Sequence, residues 1–583
     1  MPKPKSWVVT GAVVAVGVGT ILLLWPVLFS PISADDRYWF IEVPAETDLS
    51  FSQTIRLTIQ EIPAIWDTGR FTPLGFLARR VMLLASFRFS VATAAPLAAT
   101  QGIAKLLLFL LGIGCCIAFV KSLRWRAEPG RLVGVGDHKL MFIGVALAPL
   151  VAAGAQAHSQ FRNGWISYAV LTYGAVSIVF GAGALVAWCT RRLAERRRGA
   201  VFIGILSMTV LGIALNTSYE LYYVAFPVAL AVVLLFPFSP LRRDPNEKRA
   251  KAIIGGTLSL VFISFFLGIR QIISTHCATT DCYVGTDPAL GRRVLGTFWN
   301  NFLTSIPGLS HRRFLADLDE MGQSTRWPDP ATIAIIVVGV LTVGGILVVW
   351  WRMRGAGEAA RADAQAERRL LLMISVVAFC VGVGGALIMS LSVQAQELIV
   401  AVGYPYRHTV LTWTACALSL VTLALALSLK PSPVLRWASP LLLVTAIVLA
   451  SSFGLPRNLV SNQSYVALAG NRAIADIHRE IVIGDRSELG DQRRCESLER
   501  AEEYINSAWL KGRLEPAADK VFRQLNRLPY CSTWSEGLPM PLPNPDTSWL
   551  TSGFRDKGVA LRSSIGTRCV IRRFPRSLEP MRT

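Results

Sequence analysis

Long runs of uncharged apolar residues recur along the chain, and each has about the length of a helix that crosses a lipid bilayer. The first extends from about Val8 to Leu28. Further runs follow at about 101–120, 140–157, 165–189, 200–216, 221–238, 252–272, 330–350, 370–392, 408–428 and 438–453. This pattern predicts an α-helical polytopic membrane protein with about 11 transmembrane helices.

A cleaved signal peptide is the alternative interpretation of the first run. Signal peptides have a short apolar core and end at a small-residue cleavage site. The run from Val8 to Leu28 is long for such a core, and no clear cleavage site follows it. We therefore expect it to remain as the first transmembrane helix.

Basic residues are distributed unevenly between the two sides of the predicted membrane. The chain has 59 Lys and Arg against 38 Asp and Glu, a net charge of +21, which in a soluble protein would suggest nucleic acid as a partner. Here they concentrate in alternate loops, such as TRRLAERRRG and SPLRRDPNEKRAK, as cytoplasmic loops do. We expect a multi-pass protein of a bacterial cytoplasmic membrane, with the N-terminus inside, the C-terminus outside and no nucleic-acid partner.

Three long segments then lie on the outer face, at about 29–100, 273–329 and 454–583. The last is polar and mixed in charge, and at about 130 residues it is long enough to bury a small core of its own. The sequence thus predicts two domains. A transmembrane domain covers 1–453 and includes the first two outer segments, and an extracytoplasmic C-terminal domain covers 454–583.

The cysteines follow the same division. Five lie in or beside the apolar runs, where cysteine behaves as a small hydrophobic residue. Five lie in outer segments, where disulfides persist: Cys277, Cys282, Cys495, Cys531 and Cys569. We expect Cys277 to pair with Cys282, and Cys495 with Cys531 is a second candidate bridge. A zinc site that includes His276 is the alternative for the first pair.

Two adjacent carboxylates, Asp35 and Asp36, follow the first apolar run in the segment PISADDRYWF. Carboxylates are costly near hydrocarbon, so their position at the outer end of a helix needs an explanation. A solvated helix end is one. The other is a catalytic carboxylate at the membrane surface, acting as a general base on an acceptor hydroxyl.

The segment after the acidic pair is amphipathic. Its apolar residues alternate with polar ones in a pattern typical of a helix that lies in the membrane interface: Ile55, Leu57, Ile59, Ile62 and Ile65. The motif TGRFTPL follows and places Arg70 near the same surface.

Polar residues also lie at the predicted outer ends of other spans. Glu220 stands among tyrosines in NTSYELYYVAF, where it either hydrogen-bonds a sugar hydroxyl or belongs to an interfacial aromatic belt. Arg407 begins a span and suits bidentate phosphate binding, with snorkelling as the alternative. Lys105 allows the same two interpretations. The remaining candidates for sugar or acceptor binding are Tyr219, Tyr223, His158 and His408, although a structural role is the simpler account of His158.

The acidic segment ADDRYW, the motif GRFTPL and the overall layout together resemble the GT-C superfamily of membrane glycosyltransferases. The resemblance is to the arabinosyl-, mannosyl- and glucosyltransferases of bacterial envelopes, and in layout it covers the whole chain. It implies a sugar donor on polyprenyl phosphate. It also implies that Asp35 or Asp36 is the base.

Several function classes are excluded or disfavoured by the sequence. There is no Walker A loop and no HExxH motif, and no predicted cytoplasmic loop is long enough for a nucleotide-sugar domain. We expect transfer of a sugar, arabinofuranose or a hexose, to a glycan or glycolipid acceptor of the cell envelope. Arg407, Lys105 or Arg70 would hold the departing phosphate. No organic cofactor is called for, and a divalent cation is an open alternative.

Two other hypotheses compete with the glycosyltransferase. A transporter or flippase for a lipid-linked glycan would show repeated halves and charges at mid-membrane, whereas here the charges cluster at helix ends. A non-catalytic scaffold of envelope assembly is the third hypothesis, and only loss of a carboxylate-dependent activity separates it from the first.

Overall fold

The structure of the protein is a computed structural model, and almost all of the part that it describes is helical. It describes residues 6–30, 36–67, 69–127, 131–156, 164–166, 168–241, 244–279, 288–310, 329–354, 361–398, 401–403, 407–429, 432–467, 469–504 and 508–532.

The N-terminal part consists of one long apolar helix, four helices of the first outer segment and a second long apolar helix. Their bounds are α1 Ser6–Leu28, α2 Asp36–Glu46, α3 Phe51–Gln60, α4 Ile62–Asp67, α5 Pro73–Thr93 and α6 Leu97–Ser122. Apolar composition explains α1 and α6, whereas α3 is amphipathic.

The central part begins with a short antiparallel pair, β1 Trp125–Arg126 and β2 Leu132–Val133, in which Trp125 lies opposite Val133. The helices that follow are α7 Asp137–Ala153, α8 Ala169–Ala194, α9 Ala200–Ser218, α10 Ala225–Leu235 and α11 Pro245–Thr279. A 3₁₀ turn, Glu220–Val224, connects α9 to α10.

Nine helices are described in the C-terminal part of the chain. They are α12 Arg293–Ser305, α13 Asp329–Arg354, α14 Arg361–Ser390, α15 Val393–Leu398, α16 Thr409–Ser428, α17 Pro433–Ala467, α18 Ala469–Ile483, α19 Glu488–Tyr504 and α20 Ala508–Asn526. Helix α17 continues past 453, where the sequence places the boundary of the C-terminal domain, and ends at Ala467.

Eight helices in the described part of the chain are long and apolar enough to cross a membrane: α1, α6, α8, α9, α11, α14, α16 and α17. The expectation of an α-helical multi-pass membrane protein is confirmed at this level. The expected spans at 140–157, 221–238 and 330–350 fall on α7, α10 and α13, which are not among the eight. Helix α7 begins with Asp137, His138 and Lys139, and α10 has only 11 residues. The total of about 11 stays a prediction.

Ion pairs tie together one end of the helical bundle, and they involve the loops that the charge pattern assigns to the cytoplasm. Arg126 lies 2.6 Å from Glu247 at the start of α11. Lys139 of α7 contacts Glu367 of α14. These loops therefore meet at the same end of the bundle, as the alternation of basic loops predicts.

A second hydrophobic core, separate from that of the bundle, lies at the other end. It unites α2 and α5 of the first outer segment with α18, α19 and α20 of the C-terminal part, and Phe40, Phe87, Ile477 and Phe522 are completely buried in it. The first predicted outer segment and the C-terminal helices thus form one packed unit. The candidate bridge between Cys495 and Cys531 is present, and this disulfide links α19 to the segment after α20.

The other expected bridge is described only in part. Cys277, near the end of α11, is disulfide-bonded. Cys282 and Cys569 lie outside the described residues. A thiol that forms a disulfide cannot act as a thiolate ligand, so the zinc alternative at Cys277 is disfavoured.

Candidate functional site

The acidic pair lies at the start of α2. Asp36 is the first residue of this helix, while Asp35 and the side chain of Asp36 lie outside the described residues. Helix α2 then brings Trp39 one turn after Asp36, on the same side of the helix. Position 36 is therefore fixed relative to the contacts that Trp39 makes.

Trp39 leads to a group of arginines and aromatic rings near the starts of α8 and α16. The Arg79 guanidinium of α5 lies 4.3 Å from the Trp39 ring centroid and 5.1 Å from that of Tyr168. The Arg407 guanidinium lies 5.5 Å from the same Tyr168 ring. We call Trp39, Arg79, Tyr168 and Arg407 the arginine–aromatic cluster. It brings two cations within cation–π range of one ring, close to position 36.

Tyr168 has an unusual backbone conformation. It immediately precedes α8 and has a φ of 56°, in the left-handed region that non-glycine residues rarely occupy. Such strain costs free energy and concentrates at functional sites. In this conformation the centroid of the ring is 5.1 Å from the Arg79 guanidinium and 5.5 Å from the Arg407 guanidinium.

Arg70 and Glu220 lie together beside this cluster. Arg70 Nε is 3.5 Å from Glu220 Oε1, and both side chains are partly exposed. The 3₁₀ turn that carries Glu220 is fixed to α8, because the Tyr222 hydroxyl donates a 3.0 Å hydrogen bond to the Val170 carbonyl oxygen. The sequence predicts a phosphate-binding role for Arg70 and a sugar-binding role for Glu220, and the structure joins the two as an ion pair.

The two other tyrosines of this turn differ in their surroundings. Tyr219 is buried, with its ring edge-on to that of Tyr222. Tyr223 packs edge-on against Phe262 and Phe266 of α11. The ring of Tyr223 therefore contributes to helix packing.

Lys105 of α6 lies beside the last turn of α1. It is 1% exposed, and its Nζ is 3.5 Å from the Val27 carbonyl oxygen. Helix α6 approaches α1 closely there, since a Cβ at Gly102 would be only 2.9 Å from the Leu28 carbonyl oxygen. The ammonium group is thus positioned at the last turn of α1, just before the segment that leads to Asp35.

The two candidate histidines are placed differently. His408 is buried, and its Nε2 donates to the Asn301 carbonyl oxygen at 2.9 Å. Asn301 in turn donates to Ser390 Oγ of α14. This chain of contacts fixes α12 to the bundle, which favours a structural role for His408. His158 lies outside the described residues.

A compact ionic network, which the sequence does not predict, lies behind the arginine–aromatic cluster. Arg80 of α5 is 2.7 Å from Glu61 and 3.6 Å from Glu46. Arg513 of α20 is 3.2 Å from Glu46 and 3.6 Å from Glu42. Burial raises the pKa of Glu42 and raises that of Glu46 to about 7, although the neighbouring arginines oppose the shift. The network connects α2, α5 and the C-terminal helices.

One sequence signal could have indicated Arg79 and Arg80. The segment FLARRVMLL places two consecutive charges in the middle of an apolar stretch, where unpartnered charge is costly. No comparable signal exists for Tyr168, because its role depends on a backbone conformation. Comparison of the chain with protein-family models, curated proteins and solved structures gives no match.

Proposed function

We propose that the chain is a membrane glycosyltransferase. It would move a sugar, arabinofuranose or a hexose, from a polyprenyl-phosphate donor to a glycan or glycolipid acceptor on the outer face of a bacterial cytoplasmic membrane. The observation that carries this proposal is the arginine–aromatic cluster, which lies one helical turn from Asp36 at the outer end of the bundle.

The cluster suits a phosphate that carries a sugar. Guanidinium groups bind phosphate oxygens through paired N–H donors, and aromatic rings pack against the apolar face of a sugar. Arg79 approaches Tyr168 from α5 and Arg407 from the turn before α16, so both can converge on one anion. Lys105 supplies a further cation near the end of α1.

The reaction would be a direct displacement at the anomeric carbon. An Asp35 or Asp36 carboxylate takes the proton of the acceptor hydroxyl as its oxygen bonds to the anomeric carbon. The bond from that carbon to the phosphate oxygen breaks, and polyprenyl phosphate leaves with the electron pair. Cations stabilise the negative charge that develops on the leaving group.

The Arg70–Glu220 pair suits recognition of hydroxyl groups. Both side chains are partly exposed, and each neutralises the other, so the pair offers donors and acceptors without net charge. The turn that carries Glu220 is hydrogen-bonded through Tyr222 to Val170, two residues after Tyr168. This arrangement supports a role in orienting the sugar or the acceptor.

The test is a transfer assay with purified protein in lipid nanodiscs, a polyprenyl-phosphate sugar and a glycan acceptor, with release of polyprenyl phosphate as the readout. Arg79→Gln should reduce transfer by about 10²–10³-fold, the usual loss when one donor to a developing charge is removed. Arg88→Gln is the matched control, since Arg88 lies on the same helix but is exposed and contacts Phe51.

Equal transfer by the Arg79→Gln and Arg88→Gln variants would contradict the role of the cluster. The flippase alternative is tested with the same purified protein reconstituted into proteoliposomes. Movement of a lipid-linked glycan across the bilayer, with no released polyprenyl phosphate, would replace the glycosyltransferase proposal by the flippase.

A further inference from the structure

A cavity of about 380 Å³ lies between the C-terminal helices and the turn that connects α5 to α6. Its volume falls in the range of roughly 300–1,000 Å³ found for ligand pockets. One wall is residues 94–98, which are the turn and the start of α6. The other is one face of α18, where Asn471, Ile474, His478 and Val482 recur at helical spacing. The cavity is mainly apolar.

The cavity is remote from the arginine–aromatic cluster. Ala94, in its wall, follows Arg79 by 15 residues, and all but the last of these belong to α5. At 1.5 Å per residue the two sites are about 22 Å apart along the helix. The inference that follows therefore concerns a separate site and does not depend on the glycosyltransferase proposal.

His478 is a polar group in the wall whose hydrogen bonding is incomplete. It is 2% exposed, and its Nε2 has no hydrogen-bond partner in the part of the chain that the structure describes. Its ring packs against Phe40 and Phe87, with centroids 5.2 and 5.6 Å apart. A buried polar atom without a partner costs free energy, and a bound molecule with a hydrogen-bonding group would remove that cost.

The charges at the cavity differ in their partners. Asp476 is 3.6 Å from Arg500 of α19, which offsets its charge. Arg479 also lines the cavity, is exposed and forms no ion pair with any residue that the structure describes. The mouth thus presents a cation available for an anionic group.

The position of the cavity indicates where its ligand comes from. Leu97, in the wall, is the first residue of α6, one of the eight candidate spans. The cavity therefore lies at the level where α6 enters the bilayer. Exposed Ile483 on the opposite wall continues the apolar surface outward. Molecules with an aliphatic chain are the main solutes at this depth.

We infer that this cavity binds a membrane lipid that has a phosphate and an aliphatic chain. The chain lies along Ile474, Val482 and Ile483, the phosphate contacts Arg479, and a polar group of the lipid hydrogen-bonds His478 Nε2. Burial lowers the pKa of His478 to about 4, so the imidazole is neutral near pH 7 and contacts an uncharged ester or hydroxyl group.

Photo-crosslinking tests this inference with the full-length protein in detergent and a phosphatidylglycerol that carries a diazirine on one acyl chain. Peptide mass spectrometry should locate the label on α18 and on residues 94–98. Ala475→Trp and Ala95→Trp fill the cavity from opposite walls, and each should reduce labelling at least about fivefold, since the chain needs that volume. An unchanged thermal unfolding midpoint and an intact Cys495–Cys531 bridge identify a folded variant.

Two arginine variants test the phosphate contact. Arg479→Gln should weaken labelling about tenfold, the loss expected for one charged hydrogen bond. Arg486→Gln removes the same charge from an exposed position that does not line the cavity, and it should have no effect. Equal labelling by both variants, or by a diacylglycerol diazirine probe, which lacks the phosphate, and the phosphatidylglycerol one, would overturn the phosphate contact.

Competition experiments identify which lipid supplies the phosphate and the aliphatic chain. Excess unlabelled phosphatidylglycerol and excess polyprenyl phosphate are added separately, and suppression by either supports the site and names its preferred lipid. Labelling of α18 that neither lipid suppresses, or that persists in both tryptophan variants, would overturn the inference.

Discussion

Two consecutive arginines on α5 have different environments, and the difference assigns them different tasks. Arg80 is buried and lies within 4 Å of Glu61 and Glu46, so its charge is used within the protein. Arg79 stacks on Trp39 and Tyr168 at the outer end of the bundle. Removal of Arg80 would leave the buried Glu61 without the cation that it pairs with, whereas removal of Arg79, which is 9% exposed, would alter a group of rings and cations that suits a phosphate.

At the same scale, we expect either Asp35 or Asp36 to be the general base. Asp35→Asn or Asp36→Asn, whichever is the base, should reduce transfer by about 10²–10⁴-fold while donor binding is retained, because Asn keeps the shape but cannot take the proton. The measurement is transfer in nanodiscs beside equilibrium binding of the donor. Full activity of the double variant would exclude catalysis by this pair and move the flippase to first place.

Glu46 should make stability depend on pH. Its pKa in the folded protein, about 7, lies above the ordinary 4.5, so the folded state binds more protons than the unfolded state between these values. Stability should therefore fall as pH rises from about 4.5 to about 7, with Glu42, Glu61, Arg80 and Arg513 as the charged neighbours. Glu46→Gln should flatten this decline.

Thermal unfolding in detergent from pH 4.5 to 8 measures this effect. Glu499→Gln, an exposed position on α19, is the control and should keep the wild-type pH dependence. A decline of the same size in the wild type and in Glu46→Gln would show that another group is responsible.

At the scale of elements, helix α3 turns a polar face to the protein and leaves an apolar face exposed. Thr54 and Thr58 face the protein, whereas Phe51, Ile55 and Ile59 form an exposed apolar stripe, with Ile59 60% exposed. The sequence predicts an interfacial helix here, and the stripe supports it, although Ile65 is buried in α4. Residues 52, 56 and 60 form a parallel exposed polar stripe.

The two stripes of α3 supply a matched test of membrane contact. A nitroxide attached at Ile59→Cys should be accessible to oxygen, which concentrates in lipid, and protected from a water-soluble nickel chelate. A nitroxide at Gln60→Cys should show the opposite ratio, because that stripe faces water. Equal ratios at the two positions would argue against an interfacial helix.

Sequence patterns predicted some elements better than others. The long apolar runs of α6 and α16 are read directly from composition. The outer location predicted for Cys495 and Cys531 made their bridge a candidate, and the structure contains it. The pairing of Arg70 with Glu220 could not be predicted, because the two residues are 150 positions apart and only tertiary packing brings them together. For the same reason the contact of Arg407 with Tyr168 was not anticipated.

At the scale of the whole molecule, the charge pattern predicts the orientation. The N-terminus should lie inside and the C-terminal domain outside, since basic loops meet at the opposite end of the bundle from α18, α19 and α20. Fusion of a periplasm-active phosphatase after Thr583 should give an active reporter, and a cytoplasm-active reporter there should be silent. The reverse result would invert the topology.

The shared outer core has a consequence for how the protein is made. Phe40 and Phe87 are synthesised near the beginning of the chain, but their partners Ile477 and Phe522 are synthesised near its end. If the tail is exported as the charge pattern predicts, the core residues of α2 and α5 stay without these partners until the last span is inserted and the tail has crossed the membrane. We predict that ribosomal stalling before α18 leaves the first predicted outer segment open to proteases.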